Sequence, residues 1–515
     1  MRYLEAFERT VRCYPDDAAV VTDDGRAFTY DELDRRTTRL TAALHDRLGT
    51  DRIAVLANNG PAAVEAMLAG HERGAATVQL PFRGTATELV EMAETAGARG
   101  LLFDDANADT AREMLDRGEF AAAIHAGERD VTGERAGVEG YEAVLADAPT
   151  ERPAGLPADG YASIFYTSGT TSTPKAVPFG SEQLWYGAVQ VVMEHGVDET
   201  DTALVTTPWY HMVTADAWLY PHFLAGATAV LHSSFEADDA LELIEAHDAT
   251  GLLAVPTQLD ALADTQETAG HDLDSLEYVR TGGAVLPASL AERTRSLLSE
   301  GLYNTYGMTE AGPDLTFAHP SVQAERPGTI GKEAFTWEIR VVEPAPVDEH
   351  PDPEATVDAG ERGELVARGP GMADGYIDND EAEAKTFFDG WLRTGDVARV
   401  EEDGYLYVVD RIDNMFVSGG ENIYPAEVER VLETHESVAE ACVVGAEDDR
   451  WGRVVSAVVV PAGPVGTDDL EAFCKTHDAL ADYKRPREYA IAEDSLPRTD
   501  TGTLERNRIS EEYFG

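Results

Sequence analysis

Basic side chains, and lysine above all, are scarce in this 515-residue chain. Arginine and lysine together number 40 against 96 aspartates and glutamates, for a formal net charge of −56. Lysine occurs only at Lys175, Lys332, Lys385, Lys475 and Lys484. A field this negative repels nucleic acid and anionic membranes and argues against both as partners. Cysteine is nearly absent. Cys13, Cys442 and Cys474 form neither a zinc spacing nor an even disulfide set, which fits a reducing cytoplasm. No apolar run approaches the ~20 residues needed to span a membrane. Val454 to Val460 reads at most as a buried strand. The N-terminus, Met1 to Arg9, alternates charged and apolar residues like an amphipathic helix and lacks the apolar core of a signal peptide.

What is present points to a folded protein of more than one domain. Hydrophobic residues make up 43%, enough to bury a core, and 515 residues exceed what one core organises. Short apolar runs alternate with helical periods from about residue 18 to 320. Arg52 to Leu56 is followed by the helix-like Pro61 to Arg73 and then Ala76 to Leu80. Ala203 to Thr207 is followed by a helix from about Asp216 to Leu224 and then Thr228 to Leu231. Such alternation predicts βαβ units in layered α/β sheets. Residues 325 to 410 turn β-rich, with a strand at Gly404 to Val409. After Asp410 a new βα pattern opens, with a helix near Val428 and a strand at Glu440 to Val444. The expected architecture is a large N-terminal domain over 1–410, ending in a β-rich subdomain, and a small mobile α/β domain over 411–515.

The segment Tyr166-Thr-Ser-Gly-Thr-Thr-Ser-Thr-Pro-Lys175 carries the most information. Hydroxyls at Thr167, Ser168, Thr170 and Thr171, the freedom of Gly169 and the charge of Lys175 suit a loop wrapped around a polyphosphate. It is not a Walker loop, because Pro174 stands where that motif has its second glycine. A Ser/Thr-rich linker is the other reading of this stretch alone. Further along, Thr281-Gly-Gly-Ala284 and Asn304-Thr-Tyr-Gly307 offer a flat slot for an adenine, with backbone at Gly282 and Gly283 on one side and the Tyr306 ring on the other. Glu310 offers a hard oxygen for Mg²⁺. Asp396 is matched to two adjacent ribose hydroxyls, with Arg411 within reach of the same sugar.

Together with Pro208-Trp-Tyr-His211, Trp391-Leu-Arg-Thr-Gly-Asp396 and the run Arg411 to Glu429, these segments resemble, in order and over nearly the whole chain, the motifs of the adenylate-forming superfamily. That superfamily includes acyl-CoA synthetases, luciferases and peptide-synthetase adenylation domains. The resemblance implies a carboxylate–CoA ligase that uses ATP, Mg²⁺ and coenzyme A and releases AMP, in the metabolism of fatty or other carboxylic acids. It places His211 beside the carboxylate and the thiol channel, and Thr309 on the α-phosphate. The hinge falls near Asp413. Ser418, Gly419 and Gly420 line the thioester channel. Trp451, Arg485 and Arg487 suit the adenine and phosphates of CoA. Trp209, Tyr210 and Trp218 hint at an apolar or aromatic acid. A carrier-protein ligase and a non-catalytic nucleotide- or acyl-CoA-binding homologue are the rival readings, and a homodimer is one assembly left open. The motivation for the non-catalytic rival is Thr503. The superfamily ends its C-terminal motif in a catalytic lysine, and here Pro497 to Gly502 is intact but threonine follows.

The acidic residues are scattered through the chain rather than gathered in a tail. This reads as a surface adapted to a salt-rich cytoplasm, where screening shortens charge repulsion. Activity and thermal stability should therefore need molar salt, since unscreened repulsion reaches ~10 Å at 0.1 M. A melting temperature and turnover rate unchanged between 0.1 M and 2 M salt, read by calorimetry and initial rates, contradict that expectation.

Overall fold

The computed structural model describes residues 1–129, 137–157, 159–167, 174–312, 314–346, 349–418, 421–448, 452–477, 480–498 and 504–515, with backbone alone at 421, 422 and 452. The chain separates into two compact units. One comprises Met1–Ile339 with Ala367–Leu392, the other Arg340–Val366 with Arg393–Gly515. In packing terms, residues 340–366 and 393–410 group with the C-terminal residues.

The first unit is built on two sheets. A seven-stranded sheet runs Val138–Gly140, Ala122–Ala126, Ala98–Asp104, Arg52–Leu56, Thr77–Gln79, Tyr161–Thr167, Lys175–Gly180. All neighbours in it are parallel except the last pair. A nine-stranded sheet is parallel in its middle, from Leu302–Tyr306 through Tyr278–Thr281, Gly251–Leu253, Thr202–Val205 and Thr228–Leu231 to Ala18–Thr22, and antiparallel at both edges. The central strands are short apolar runs because both their faces are covered, as parallel sheets require. Ile53, Ala54, Val55 and Leu56 are all 0% exposed. Val55 and Phe165 of one sheet and Val205 and Ala229 of the other belong to a single apolar core. The expected helix Pro61 to Arg73 forms with those bounds. Pro61 occupies a first-turn position that needs no N–H, and Gly74 ends the helix at φ +56°. The N-terminal amphipathic segment is the helix Tyr3–Cys13, and it buries Tyr3, Leu4, Ala6 and Phe7.

The helix expected from Asp216 to Leu224 takes a different form. A turn at Met212–Thr214 widens into a π-helical stretch at Ala215–Leu219 before an α-helix at Tyr220–Ala225. Pro221 has no N–H to return to the carbonyl of Ala217. That carbonyl instead accepts a hydrogen bond from Nη1 of the buried Arg280. The proline and the arginine together account for the altered turn. The strand expected at Gly404 to Val409 begins later, as Leu406–Arg411, because Gly404 closes a turn at φ +86° with its N–H on the Glu401 carbonyl.

In the second unit, the strand Leu406–Arg411 lies antiparallel to residues 396–400, with Asp396 opposite Arg411. Asp410 then organises the chain's next turn. Its Oδ1 accepts from Arg411 N (2.7 Å) and Asn414 Nδ2 (2.9 Å), and its Oδ2 from Ala426 N at 2.8 Å. The C-terminal sheet pairs Val438–Asp448 antiparallel with Gly452–Pro461, which pairs parallel with Glu488–Ile491. Helices Pro425–Leu432, Thr467–Thr476 and Arg506–Phe514 accompany it. Glu429 on the first of these helices is bonded by both Arg506 nitrogens and by Val443 N. No helix among the described residues is long and apolar enough to cross a membrane.

Candidate active site

The Ser/Thr-rich segment leaves the strand Tyr161–Thr167 and returns by Lys175–Gly180, with Thr167 opposite Lys175. Antiparallel pairing thus holds both ends of the loop at one edge of the sheet. Ser168, Gly169, Thr170 and Thr171 lie outside the described residues, as do Gly419, Gly420, Trp451 and Thr503. The Oγ1 of Thr167 is buried and has no hydrogen-bond partner among the described residues. A buried hydroxyl left unpaired is costly, and one at the mouth of such a loop suits a ligand oxygen.

Lys175 is brought to Glu310 by a residue that the sequence reading missed. The Lys175 Nζ sits 5.2 Å from the ring centre of Tyr376, within cation–π range. The Tyr376 hydroxyl donates to Glu310 Oε1 at 2.5 Å. Backbone bonds fix the arrangement. Ala373 N donates to the Glu310 carbonyl at 2.9 Å, and Ile377 N donates to the carbonyl of Ala176, next to Lys175, at 3.0 Å. Glu310, in the 3₁₀ turn Thr309–Ala311, is only 5% exposed. The sequence trace of Tyr376 is faint: a glycine–tyrosine pair in a loop. Gly375 takes φ +153° there, with the Glu383 carboxylate 2.1 Å from where a Cβ would stand.

The Thr281-Gly-Gly-Ala284 turn follows a strand that pairs with Leu302–Tyr306, with Thr281 opposite Asn304. The two motifs therefore emerge side by side from the same ends of parallel strands, where open α/β sheets bind ligands. A Cβ on Gly282 would meet the Thr305 carbonyl at 2.7 Å, and Gly283 has φ +78°. Gly283 and Ala284 are exposed, while Tyr306, Gly307 and Thr309 are partly so. Asn304 is buried and donates its amide to the Thr329 carbonyl at 3.1 Å. This bond gives Asn304 a part in holding the strand end.

His211 caps the Met212–Thr214 turn and lies 4.3 Å, ring to ring, from Tyr210. Burial, with help from nearby Arg83, pushes its pKa down to about 4. At neutral pH the imidazole is uncharged and serves as a hydrogen-bonding group. The two tryptophans read as hints of an aromatic substrate are core residues instead. Trp209 and Trp218 are 1% and 0% exposed, with their indole N–H groups on the carbonyls of Ala57 and Leu204. Indoles are large enough to fill the space between layers, and buried ones need such a partner.

In the second unit, Asp396 is 6% exposed and receives Arg411 Nη1 at 3.3 Å, while the same nitrogen donates to the Thr394 carbonyl at 3.2 Å. Gly395, at φ +72°, leaves room for that guanidinium, whose Nη2 lies 3.0 Å from where a Cβ would be. Asp413 is exposed. Ser418 pairs with Glu421 across a two-stranded hairpin. The basic cluster is spent largely on the protein's own acids. Lys484 bonds Glu427 at 2.7 Å. Arg485, with 7% of its side chain exposed, bonds Glu471 and Asp482. Arg487 bonds Asp482 and keeps 39% of its side chain exposed. The arginines near Thr503 are engaged too: Arg498 with Glu440, Arg506 with Glu429, Arg508 with Glu505.

Among the described residues no cluster of three or more His, Cys, Asp or Glu side chains could hold a metal ion. A single carboxylate can nevertheless serve Mg²⁺, which keeps waters and borrows substrate oxygens. Glu310 fits that role.

The model of the AMP-binding enzyme family matches residues 7–377, and that of the AMP-binding enzyme C-terminal domain matches 427–503. A feruloyl-CoA synthase from Amycolatopsis is 36% identical over 96% of this chain and 96% of its own. The o-succinylbenzoate CoA synthetase of Bacillus subtilis, solved with its acyl-adenylate intermediate, superposes with a TM-score of 0.81 at 31% identity, covering 98% of this chain and 97% of that one. The same enzyme with ATP and magnesium gives 0.83 at 30%, covering 98% and 99%. With family models covering most of its length and relatives above 30% identity end to end, the chain belongs to the AMP-binding, adenylate-forming enzyme family.

Proposed function

We propose that this protein is an AMP-forming acid–thiol ligase that makes an acyl-CoA thioester from a carboxylic acid. One observation carries the reading most directly: Lys175 and Glu310, far apart in sequence, both contact Tyr376, the lysine over its ring and the carboxylate at its hydroxyl. A cation and a carboxylate held together beside a hydroxyl-rich loop suit a triphosphate and its counter-ion.

In the first half-reaction a carboxylate oxygen attacks the α-phosphorus of ATP, and the bond to pyrophosphate breaks. Lys175 neutralises charge on the phosphate oxygens, and the hydroxyls of Thr309, Thr167, Ser168, Thr170 and Thr171 donate hydrogen bonds to them. When bound, Mg²⁺ on Glu310 would supply further charge neutralisation. Gly282, Gly283 and Tyr306 hold the adenine, and Asp396 with Arg411 the ribose. In the second half-reaction the CoA sulfur, as thiolate, attacks the acyl carbon and AMP leaves; Ser418, Gly419 and Gly420 line its approach. Arg487 and Trp451 are the proposed CoA contacts, and Arg485 positions Asp482 against Arg487. A hinge near Asp413 would let residues 411–515 serve both steps in turn. Aromatic acids are favoured over fatty acids as substrates, because the relatives at 36% and 31% identity are named for feruloyl and succinylbenzoate groups. The cytoplasm of a salt-adapted cell is the proposed setting, given three free cysteines and a net charge of −56.

The deciding assay is pyrophosphate release from ATP over a panel of carboxylic acids, with and without CoA. CoA-dependent thioester formation supports the proposal. Nucleotide binding without turnover of any acid would favour a non-catalytic homologue.

Asp396→Ala should lower ATP and AMP affinity by ~10²-fold or more, since the two ribose hydroxyls lose the carboxylate they share. Unchanged affinity by calorimetry rejects the assignment. Thr503→Lys should raise adenylation by ~10-fold or more, a cautious share of the ~10²–10³ that a charged donor contributes. The thioester step from preformed acyl-adenylate should barely move. An adenylation rate that stays flat or falls means another group already supplies the charge. Arg498 is then the first suspect, and its alanine variant should lose adenylation selectively.

A further inference from the structure

The packing boundary of the chain does not fall at the expected hinge. Residues 340–366 and 393–410, which precede Asp413, group with the C-terminal residues. Three contacts join the two sides, and all converge on Pro425–Leu432, the first α-helix after the hinge.

One contact is a cap. A helix leaves its first N–H groups without partners in the helix itself. Pro425 has no N–H, and the next, on Ala426, goes to Asp410 Oδ2 at 2.8 Å. Asp410 belongs to the strand Leu406–Arg411, and its carboxylate faces the positive end of the helix. One turn on, Arg430 Nη2 donates to the Val409 carbonyl at 2.7 Å. The third contact is an ion pair. Glu427 Oε1 takes Arg362 Nη2, at the head of the strand Arg362–Arg368, while its Oε2 takes Lys484 Nζ at 2.7 Å. The Arg362 guanidinium also lies 5.5 Å from the ring centre of Tyr424, the residue before the helix.

Each of these contacts has one partner before Asp413 and one after it. A backbone rotation at 413 that carries the helix away from the strand breaks all three. The groups released are suited to release. Glu427, with 16% of its side chain exposed, keeps Lys484, which lies on its own side of the hinge, so no buried carboxylate is stranded. The Arg362 side chain is 40% exposed and meets water when let go. A contact set that is specific when made and inexpensive to break is what a two-state element needs.

We infer that Arg362 and Glu427 are positioning residues. Their ion pair, with the Asp410 cap, is a releasable latch that holds residues 411–515 in one of two orientations. It thereby sets how the enzyme divides its time between adenylation and thioester formation. The inference rests on the hinge in the ligase reading, and it adds the residues that bias that hinge.

The test uses the full-length enzyme and two readouts. Spin labels on Cys13, which is exposed, and on Lys475→Cys report a distance across the hinge, since Cys442 and Cys474 are buried. Wild type should show one dominant distance. Arg362→Ala should raise the population of a second by ~5-fold or more, with Arg362→Lys in between. Glu427→Gln weakens the same pair from its other side and should shift the distances in the same sense, which keeps the test open should the alanine variant not fold. The second readout is the ratio of single-turnover adenylation to thioester formation from preformed acyl-adenylate. It should change by ~5-fold or more in the alanine variant, one step slowing while the other holds or quickens. Distances that stay as in wild type overturn the inference, as do half-reactions that stay unchanged or fall together. If wild type turns over no acid, the ligase reading fails and the distances decide the latch alone. Turnover with unmoved distances keeps the ligase reading and removes the latch.

Discussion

The position of Tyr376 is the constraint on which the candidate site depends. Its ring faces the Lys175 ammonium and its hydroxyl holds Glu310. Neither charged residue could be placed by its own strand or turn with comparable accuracy. Lys175 is the first residue of an edge strand, and Glu310 lies in a single 3₁₀ turn. The segment bearing Tyr376 is tied to both by backbone hydrogen bonds, one to the Glu310 carbonyl and one to the Ala176 carbonyl. A long flexible lysine loses rotamer freedom when it is held, and pre-paying that loss is how binding sites gain strength.

Charge is distributed by the same logic elsewhere. With 40 basic side chains against 96 acidic ones, most cations have acids to choose from. Arg36 takes Glu65 and Glu142, Arg293 takes Asp260, Asp264 and Glu267, and Arg485 takes Glu471 and Asp482. The more exposed of these, those of Arg293, contribute little singly, about 0–1 kcal/mol. Among the described residues many cations are thereby engaged with the protein's own acids. Lys175 is one of five lysines, which makes its fixed position more consequential.

Much of this was legible in the residues. Strands such as Arg52–Leu56 and Thr228–Leu231 and the helix Pro61–Arg73 follow from apolar runs, a first-turn proline and a terminal glycine, all local signals. The Asp396–Arg411 pair was legible as chemistry and proves to be a cross-strand neighbour pair. Other features depend on partners distant in sequence. The π-helical stretch needs Arg280 to claim the carbonyl that Pro221 leaves free, and no periodicity shows that. The pairing of Arg485 with Glu471 depends on how a helix meets a later turn. Trp209 and Trp218 look like pocket aromatics in sequence, but their N–H groups find carbonyls in the core. Tyr376 was invisible for the same reason: its two partners lie 201 and 66 residues away.

The most direct measurement is the adenylation rate of Tyr376→Phe, alongside its thioester step from preformed acyl-adenylate. Phenylalanine keeps the ring beneath Lys175 and removes the hydroxyl, with its short bond to Glu310 and its longer one to Thr386 at 3.4 Å. Hydrogen bonds to charged groups are worth ~1.5–3 kcal/mol, so kcat/KM for pyrophosphate release should fall by roughly 10- to 100-fold with the fold and the second step intact. Adenylation at the full wild-type rate would mean that Lys175 and Glu310 do not depend on Tyr376, and the account of the site built on it would fail.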